Sequence, residues 1–300
     1  MAPAFGSGRI ATALSRDGFS WERVDGPLAG GAVFTPSDDP LAFDASHVAT
    51  GDVIHDGNEW VMAYFGGNDE IPTGVNRMFK EKGYVLRPGI ARSNDGVNWR
   101  RVPGQASGGA ALDVHPGDVY SAFPGLVRTE ERYLLYYTTV DKEARYWRQR
   151  IAISTDGSNW TPYGDLRWDN ESRLYDAGGI ISRDILRNPF SDDPPWLMVY
   201  TAKDGRDETG GRRSIGVAVS EDALTWRRLL QHPVFVTGPK GAWDHAGVAV
   251  PRLVATDQDV RLYYYGWSDD SFEDHPYRGI GCAVAPFDSP WTFKRYQPTS

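Results

Sequence analysis

Ser-Arg-Asp-Gly-Phe-Ser-Trp at residues 15–21 and Ser-Thr-Asp-Gly-Ser-Asn-Trp at residues 154–160 carry the pattern that decides the fold of this chain. The pattern returns around Asp95, lacks its glycine around Asp222, and keeps only an aspartate and a tryptophan from Asp288 onward. Asp-Gly between two alternating segments predicts a hairpin turn, because glycine accepts the positive φ that the turn requires. Five copies of one hairpin indicate a repeat architecture.

A second element alternates with this hairpin. It consists of an aspartate, a strand, a polar turn and a second strand rich in aromatic and β-branched residues. Its four copies begin at Asp44, Asp118, Asp176 and Asp244. Two strands from each element make one four-stranded sheet, and such sheets repeated about an axis form a β-propeller.

Five hairpins and four aspartate-led elements predict an all-β, five-bladed β-propeller whose first blade is entered in mid-sheet. Either an N-terminal segment is missing, or the first blade has only two or three strands and uses residues 31–34 as one of them. The chain is 40% hydrophobic and 13% aromatic, with 33 glycines and 20 prolines, which is typical of many short strands joined by tight turns. No linker interrupts the repeat, so residues 1–300 are expected to form a single propeller domain.

Charge and cysteine content narrow the function classes. The net charge of −8 argues against a nucleic-acid-binding protein, because the sequence has no basic stripe to neutralise phosphates. The pairs Arg100-Arg101, Arg212-Arg213 and Arg227-Arg228 are interpreted as solvated blade edges. A single cysteine, Cys282, rules out internal disulfides. Without a signal peptide or a membrane-spanning run, we expect a soluble, cytoplasmic protein; a secreted origin and the oligomeric state stay open.

The repeat also predicts where chemistry would take place. The aspartates that begin the four elements, Asp44, Asp118, Asp176 and Asp244, are expected to ring the mouth of a central pocket. Like charges held close together raise the pKa of one another, which lets one carboxyl act as an acid while another acts as a base. His245 directly follows the last of them and is a further acid/base candidate. The alternative is structural, with each aspartate accepting backbone N–H bonds within its blade.

Aromatic and polar residues beside the aspartates are the candidates for substrate binding. They are His47, Asp69, Arg77, Tyr120, Tyr175, Trp243 and Trp267. Aromatic walls with converging carboxylates suit a sugar or another polycyclic ligand. The long segment at residues 66–88 is expected to overhang the pocket. No metal site is predicted, because no His or Cys spacing fits zinc, and no cofactor is expected; a calcium ion in the channel stays open.

These repeats, alternating with Asp-led strands that end in Leu-Tyr-Tyr, resemble the five-bladed β-propeller superfamily of arabinanases, levansucrases and invertases. The superfamily includes glycoside hydrolase families 43, 32 and 68. The resemblance implies an ionised aspartate on the first blade, a glutamate as proton donor from a later blade, and an auxiliary aspartate. Asp118 matches the auxiliary position, whereas Asp176 stands where the family has its glutamate. The Asn-Asp-Pro-Asn-Gly signature of the family is absent.

Two functional classes follow. The first is a glycoside hydrolase-like enzyme that acts on a sugar or glycoside in a central acidic and aromatic pocket, with a small molecule or an oligosaccharide as its ligand. The second is a propeller without hydrolytic activity. It would be a cyclase or pericyclase of natural-product biosynthesis, or a carbohydrate-binding protein. Neither class involves a nucleic acid or a membrane partner.

Overall fold

A computed structural model describes residues 8–71, 85–141, 146–171, 174–205, 212–268 and 278–297. The prediction of an all-β fold is confirmed, since strands arranged in several sheets make up its regular structure. The chain divides into two compact units, Met1–Arg145 with Gln149–Asp165 and Tyr146–Arg148 with Leu166–Ser300. The count of five blades and the single domain stay predictions.

The first unit contains a hairpin and two four-stranded antiparallel sheets. Its strands are β1 (Ala13–Leu14), β2 (Glu22–Arg23), β3 (His47–His55), β4 (Trp60–Gly67), β5 (Arg87–Ser93), β6 (Arg100–Val102), β7 (Ala122–Arg128), β8 (Tyr133–Val140), β9 (Trp147–Ser154) and β10 (Thr161–Asp165). Strands β1 and β2 pair around the turn at Asp17. The sheets run β3-β4-β5-β6 and β7-β8-β9-β10 in chain order. A 3-10 turn, Ser107–Gly109, follows the first of these sheets.

The second unit repeats this plan. Its strands are β11 (Arg167–Trp168), β12 (Gly179–Arg187), β13 (Trp196–Lys203), β14 (Arg213–Ser220), β15 (Thr225–Arg228), β16 (Gly247–Ala255), β17 (Asp259–Trp267), β18 (Arg278–Pro286) and β19 (Lys294–Arg295). The sheets are β12-β13-β14-β15, with β11 parallel beside β15, and β16-β17-β18-β19. A 3-10 turn, Leu174–Asp176, precedes β12. Alternating apolar side chains of both sheets build the core of this unit.

The Ser-x-Asp-Gly pattern forms the predicted hairpin turn between the third and fourth strands of a sheet. Asp156 Oδ1 accepts hydrogen bonds from the N–H groups of Ser158 and Asn159 at 2.8 Å each, and Gly157 has φ 71°. These backbone hydrogen bonds lower the pKa of Asp156. In the copy without glycine, Ala223 takes the same left-handed conformation, with φ 57°. The turn therefore depends on the aspartate more than on the glycine.

Neighbouring sheets of each unit are joined through their first strands. Asp52 Oδ2 of β3 accepts a hydrogen bond from Leu126 N of β7 at 3.0 Å. Asp184 Oδ2 of β12 accepts one from Leu253 N of β16 at 2.7 Å. The two aspartates hold matching places in their strands, so the same link occurs once in each unit.

In both units a short segment, an apolar residue followed by an aromatic one, pairs with an isoleucine that lies five residues before the serine of a Ser-x-Asp turn. The segment Val33-Phe34 pairs with Ile10, and the segment Val234-Phe235 pairs with Ile215. We call these two dipeptides the cover segments. Residues 31–34, predicted as a strand, thus form only isolated bridges at Ala32 and Phe34. The ring centroids of Phe34 and Phe235, the aromatic residues of the cover segments, lie 4.7 Å from those of Tyr64 and Tyr264, respectively.

Asp56 links the two four-stranded sheets of the first unit. It follows β3 and accepts hydrogen bonds from the hydroxyl of Tyr133 at 2.8 Å and from Arg92 at 3.1 Å. Burial alone would raise the pKa of this carboxyl. Backbone hydrogen bonds from Glu59 and Asn58, together with the tyrosine hydroxyl and the guanidinium, lower the pKa of Asp56 to about 2.

We expect Asp56→Asn to flatten the acid dependence of stability. A carboxyl whose pKa is lower in the folded state contributes stability above its unfolded pKa of about 3.9, and that contribution is lost as the pH falls toward the folded value. Urea unfolding of the wild type should therefore weaken more steeply between about pH 4 and pH 2 than that of the variant. The exposed control Asp288→Asn should keep the wild-type slope. Equal slopes for all three proteins would contradict the assignment.

Candidate functional site

The four aspartates predicted as catalysts lie buried inside their own sheets. Their exposed fraction is 1% or less in every case. Each carboxylate forms a salt bridge with an arginine from the third or fourth strand of the same sheet. The pairs are Asp44 with Arg101 at 2.9 Å, Asp118 with Arg150 at 2.6 Å, Asp176 with Arg228, and Asp244 with Arg295 at 2.8 Å.

In three of the sheets a tyrosine of the second strand completes this arrangement. The hydroxyl groups donate to the aspartate carboxylates, from Tyr64 to Asp44 at 3.0 Å, from Tyr200 to Asp176 at 3.1 Å and from Tyr264 to Asp244 at 2.9 Å. Burial and the neighbouring carboxylate raise the pKa of Tyr264 above its usual range, so its hydroxyl keeps the proton that it donates. We call each aspartate with its arginine, and its tyrosine where present, a pin. A pin ties the start of the first strand to the strands that follow it.

The pins favour the structural interpretation of the aspartates over the catalytic one, and the catalytic role stays a prediction. They also correct the interpretation of the arginine pairs. Arg228 is 4% exposed, and Arg101 reaches the buried Asp44, so these two are not solvated edge residues. The reason is strand alternation, which turns one arginine of a pair inward while its neighbour, such as Arg227, faces solvent.

In the first unit, polar groups collect where the first strand begins and the second strand ends. His47 of β3 lies directly opposite Gly67 of β4. Beside this pair, Ser46 Oγ donates a hydrogen bond to Asp69 Oδ1 at 3.0 Å. Partial burial lowers the pKa of His47, so its imidazole is neutral at pH 7 and can accept a proton. The structure thus brings two predicted substrate-binding residues, His47 and Asp69, to one end of one sheet.

Two further carboxylates lie at this end of the sheet: Glu70, within the segment predicted to overhang the pocket, and Asp113, which was missed by the sequence interpretation. Arg87, the first residue of β5, donates to Asp113 at 2.9 Å and to Glu70 at 3.0 Å. The arginine side chain is only 10% exposed, whereas those of Glu70 and Asp113 are 45% and 50% exposed. Burial opposes ionisation, but the hydrogen bonds from Arg87 outweigh it and lower the pKa of both carboxyls. Both are therefore ionised at neutral pH and reachable from solvent.

In the first unit the pair His47/Gly67 joins the start of the first strand to the end of the second, and its large residue is on the first strand. In the second unit the large residue of the equivalent pair is on the second strand. Lys203 of β13 lies opposite Gly179, and Trp267 of β17 lies opposite Gly247. A Cβ atom on Gly247 would overlap the six-membered ring of the Trp267 indole, so the glycine is what allows the indole to lie across the first strand. We call His47/Gly67, Gly179/Lys203 and Gly247/Trp267 the rim pairs. Each combines one large side chain with a glycine.

Cationic groups accompany the indole of Trp267. The guanidinium of Arg213 lies 5.0 Å from its ring centroid, within cation–π range. Arg213 is also the direct cross-strand partner of Lys203. Trp267 and Arg213 are half-buried, so part of each stays open to solvent. This end of the second unit offers an aromatic surface next to hydrogen-bond donors.

His245 follows the pin aspartate Asp244 and lies two residues before Gly247. Its Nδ1 lies 2.7 Å from the carbonyl oxygen of Ala242. A carbonyl only accepts, so Nδ1 carries the proton and Nε2 of the neutral ring is an acceptor. The geometry is compatible with the predicted acid/base role, which stays a prediction.

The remaining predicted substrate-binding residues have mixed surroundings. Trp243 is 37% exposed and stacks on Tyr264 at 5.8 Å. The hydroxyl of Tyr175 contacts that of Tyr200 at 3.1 Å, so it extends a pin. Tyr120 is buried, with 2% of its surface exposed. Arg77 and most of the segment at residues 66–88 lie outside the described residues.

The described residues contain no group of three or more His, Cys, Asp or Glu side chains placed to hold a metal ion. They also contain no helix with the length and apolar character needed to cross a bilayer. The expectations about a calcium ion and about cofactors stay predictions.

Comparisons with known proteins show a shared fold. No protein-family profile and no curated protein matches the chain. An N-acetylgalactosamine deacetylase from F. plautii, solved with blood group B trisaccharide, is 16% identical with a TM-score of 0.64, covering 92% of this chain and 80% of its own. A glycoside hydrolase of family GH130, a family of mannoside phosphorylases and hydrolases of β-1,2 mannosidic linkages, is 18% identical (TM-score 0.59; 97% and 78% covered). A thermostable family-43 glycoside hydrolase is 16% identical (TM-score 0.57; 87% and 75% covered).

These likenesses support the predicted resemblance to propeller glycoside hydrolases at the level of the fold. Identities of 16–18% transfer no residue roles to this chain. Function has to be argued from the side chains at the ends of the sheets.

We expect Asp176→Asn to destabilise the protein by about 3–5 kcal/mol, because it leaves the buried guanidinium of Arg228 without its counter-charge. Urea unfolding followed by tryptophan fluorescence measures this change. The matched control is Arg227→Leu, which alters the exposed neighbour on the same strand and should stay within about 0.5 kcal/mol of the wild type. A wild-type free energy of unfolding for Asp176→Asn would contradict the structural role of the pin.

Proposed function

We propose that the protein is a glycosidase-like enzyme that binds a sugar at the rim pairs of its sheets. The observation that carries the proposal is the indole of Trp267, held across Gly247 beside the guanidinium of Arg213. Sugar-binding sites combine an apolar surface for the ring with a few polar groups that fix its orientation. The shared fold with glycoside hydrolases supports the same class of ligand.

The second unit provides both kinds of contact. Trp267 offers part of a large flat aromatic surface, and tryptophan loses little side-chain entropy when it binds. The half-buried Arg213 has several N–H groups in a planar fork beside the indole, and Lys203 is its cross-strand partner on the adjacent strand. His245 adds an acceptor at Nε2 in its neutral form. Arginine donors beside the indole, and a histidine acceptor two residues before Gly247 in the chain, match the hydroxyl groups of a pyranose or furanose.

The first unit, taken by itself, has carboxylates suited to hydrolysis beside its own rim pair, His47/Gly67. Cleavage of a glycosidic bond needs a carboxylate that acts as a base or nucleophile and a second group that donates a proton. Glu70 and Asp113 are ionised and about half exposed, which suits the first role and not the second. Arg87 fixes both carboxylates in place. We therefore assign Glu70 or Asp113 as the base or nucleophile of the reaction.

A carbohydrate-binding protein without hydrolysis is the second candidate. It is favoured by the pins, which commit all four aspartates of the repeat to arginines within their sheets. The cyclase alternative has no contact in its favour among the described residues.

Replacing Trp267 tests the sugar site. We expect Trp267→Ala to weaken binding of the preferred sugar at least ten-fold, equivalent to about 1.4 kcal/mol, because the aromatic surface is lost. Trp267→Phe should retain part of the affinity. Isothermal titration against a panel of mono- and disaccharides gives the Kd values. The control is Trp60→Ala, which removes a 38% exposed indole at the opposite end of a second strand. Equal effects of both alanine variants would refute the site.

Replacing Glu70 and Asp113 tests hydrolysis. If one of them is the base or nucleophile, Glu70→Gln or Asp113→Asn should lower kcat on aryl glycosides about 10²–10⁴-fold. Glu131→Gln, which alters a glutamate whose side chain is 76% exposed, is the matched control and should keep wild-type kcat. Asp44→Asn should change stability and leave kcat per folded molecule unchanged. A protein that binds sugars but cleaves none would instead support the second candidate.

A further inference from the structure

One place in the repeat is covered in two copies, at Ile10 and Ile215, and open in a third, at Ile280. Ile215 precedes the glycine that pairs with Tyr200, and Ile280 precedes the glycine that pairs with Tyr264. The two isoleucines therefore hold the same position in β14 and β18. Ile215 is 0% exposed, whereas Ile280 is 82% exposed. The same repeat position therefore carries a buried isoleucine in β14 and a solvent-exposed one in β18.

The cover segments pair with the backbone at this position, and in the second unit Val234 and Phe235 share a buried cluster with Ile215 and with side chains of the neighbouring sheet. Ile215 N donates to Phe235 O at 2.8 Å, and Ile215 O accepts from Val234 N at 2.8 Å. The first unit repeats the arrangement with the same geometry: Ile10 N donates to Phe34 O at 2.9 Å, and Ile10 O accepts from Val33 N at 2.8 Å. In both units a valine followed by a phenylalanine pairs with the backbone of the isoleucine, and in the second unit this pair extends the edge of the sheet at β14.

The backbone of Ile280 faces outward in the way needed for the same addition. Cys282, two residues further along β18, accepts a hydrogen bond at its carbonyl from Tyr296 N, on the side away from β17. Backbone groups of residues two apart in a strand point the same way, so Ile280 N–H and C=O also point away from β17. Among the described residues no backbone hydrogen bond fills these two groups.

Apolar neighbours extend the open position into a strip. Tyr265 lies directly opposite Ile280, and Cys282 and Val284 follow on the same face of β18. These three side chains are half-buried. An apolar strip beside an unpaired strand edge is the combination that binds an added strand, with main-chain hydrogen bonds for affinity and side-chain contacts for specificity.

We propose that the edge of β18 at Ile280 is a docking site for an extended peptide strand of a partner protein. The strand carries an aliphatic residue followed by an aromatic one, as the two cover segments do. Its main chain accepts from Ile280 N–H and donates to Ile280 C=O, and its aliphatic and aromatic side chains pack on Ile280 and the adjoining strip. The residue types expected in the partner strand are thus those of the two cover segments, which pair with Ile10 and Ile215.

A synthetic peptide with the sequence of residues 229–237 tests the proposal, because it contains the Val-Phe pair that covers Ile215. Fluorescence anisotropy of the labelled peptide against the full chain should show saturable binding. We expect Ile280→Asp to weaken the binding at least ten-fold and Ile280→Val to retain it. A peptide in which both the valine and the phenylalanine are alanine should bind at least ten-fold more weakly to the wild type.

The matched control is Leu41→Asp, which places the same charge at another aliphatic side chain with 81% exposure. It should bind the peptide like the wild type. Wild-type affinity of Ile280→Asp, or equal losses in the Ile280 and Leu41 variants, would overturn the proposal. Light scattering adds one further outcome. Self-association that Ile280→Asp abolishes would overturn the assignment of a partner peptide, since the occupant would then be a second copy of the chain.

Discussion

A buried ion pair between the aspartate that precedes the first strand and an arginine of a later strand holds each sheet in register. In the pin of Asp176, both charged side chains are almost wholly removed from water, with exposed fractions of 0% and 3%. Desolvation makes such a pair a weak source of net stability, but separating its partners is costly because one charge would stay buried alone. The pin therefore acts as a constraint on geometry, fixing where the first strand begins. Because the rim pairs start at that point, their positions depend on it.

Glycine placement decides which strand supplies the functional side chain at each rim pair. In the first unit His47 stands on the first strand opposite Gly67, whereas in the second unit Lys203 and Trp267 stand on the second strand opposite glycines. A directly opposed pair has room for one large side chain that lies across the sheet. The chemical character of the site can thus change from one sheet to another without any change in backbone plan. The repeat keeps the scaffold constant while the rim varies.

Some functional residues were readable from the sequence and others were not. His47, Asp69 and Trp267 were predicted because they adjoin the repeated aspartates or follow the second strands. Glu70 lies in the same run as Asp69, within the segment that was predicted to overhang the pocket. Asp113 could not be predicted, because its importance comes from Arg87, and the two residues are 26 positions apart in the chain. Burial and salt bridges likewise separate Arg101 and Arg228 from their exposed neighbours, which composition alone does not reveal.

The all-β fold, the hairpin turns and the repeat could all be predicted from the amino-acid sequence. These features are local, since the aspartate, its hydrogen-bond donors and the following glycine or alanine lie within four residues of one another. That the repeated aspartates are pinned is seen only in the folded chain, because Asp176 meets Arg228 across 52 residues. The same holds for Ile280, which stays open while Ile215 is covered. Identical residues in identical repeats differ in burial when what packs on them comes from elsewhere in the chain, and a local pattern does not encode that neighbour.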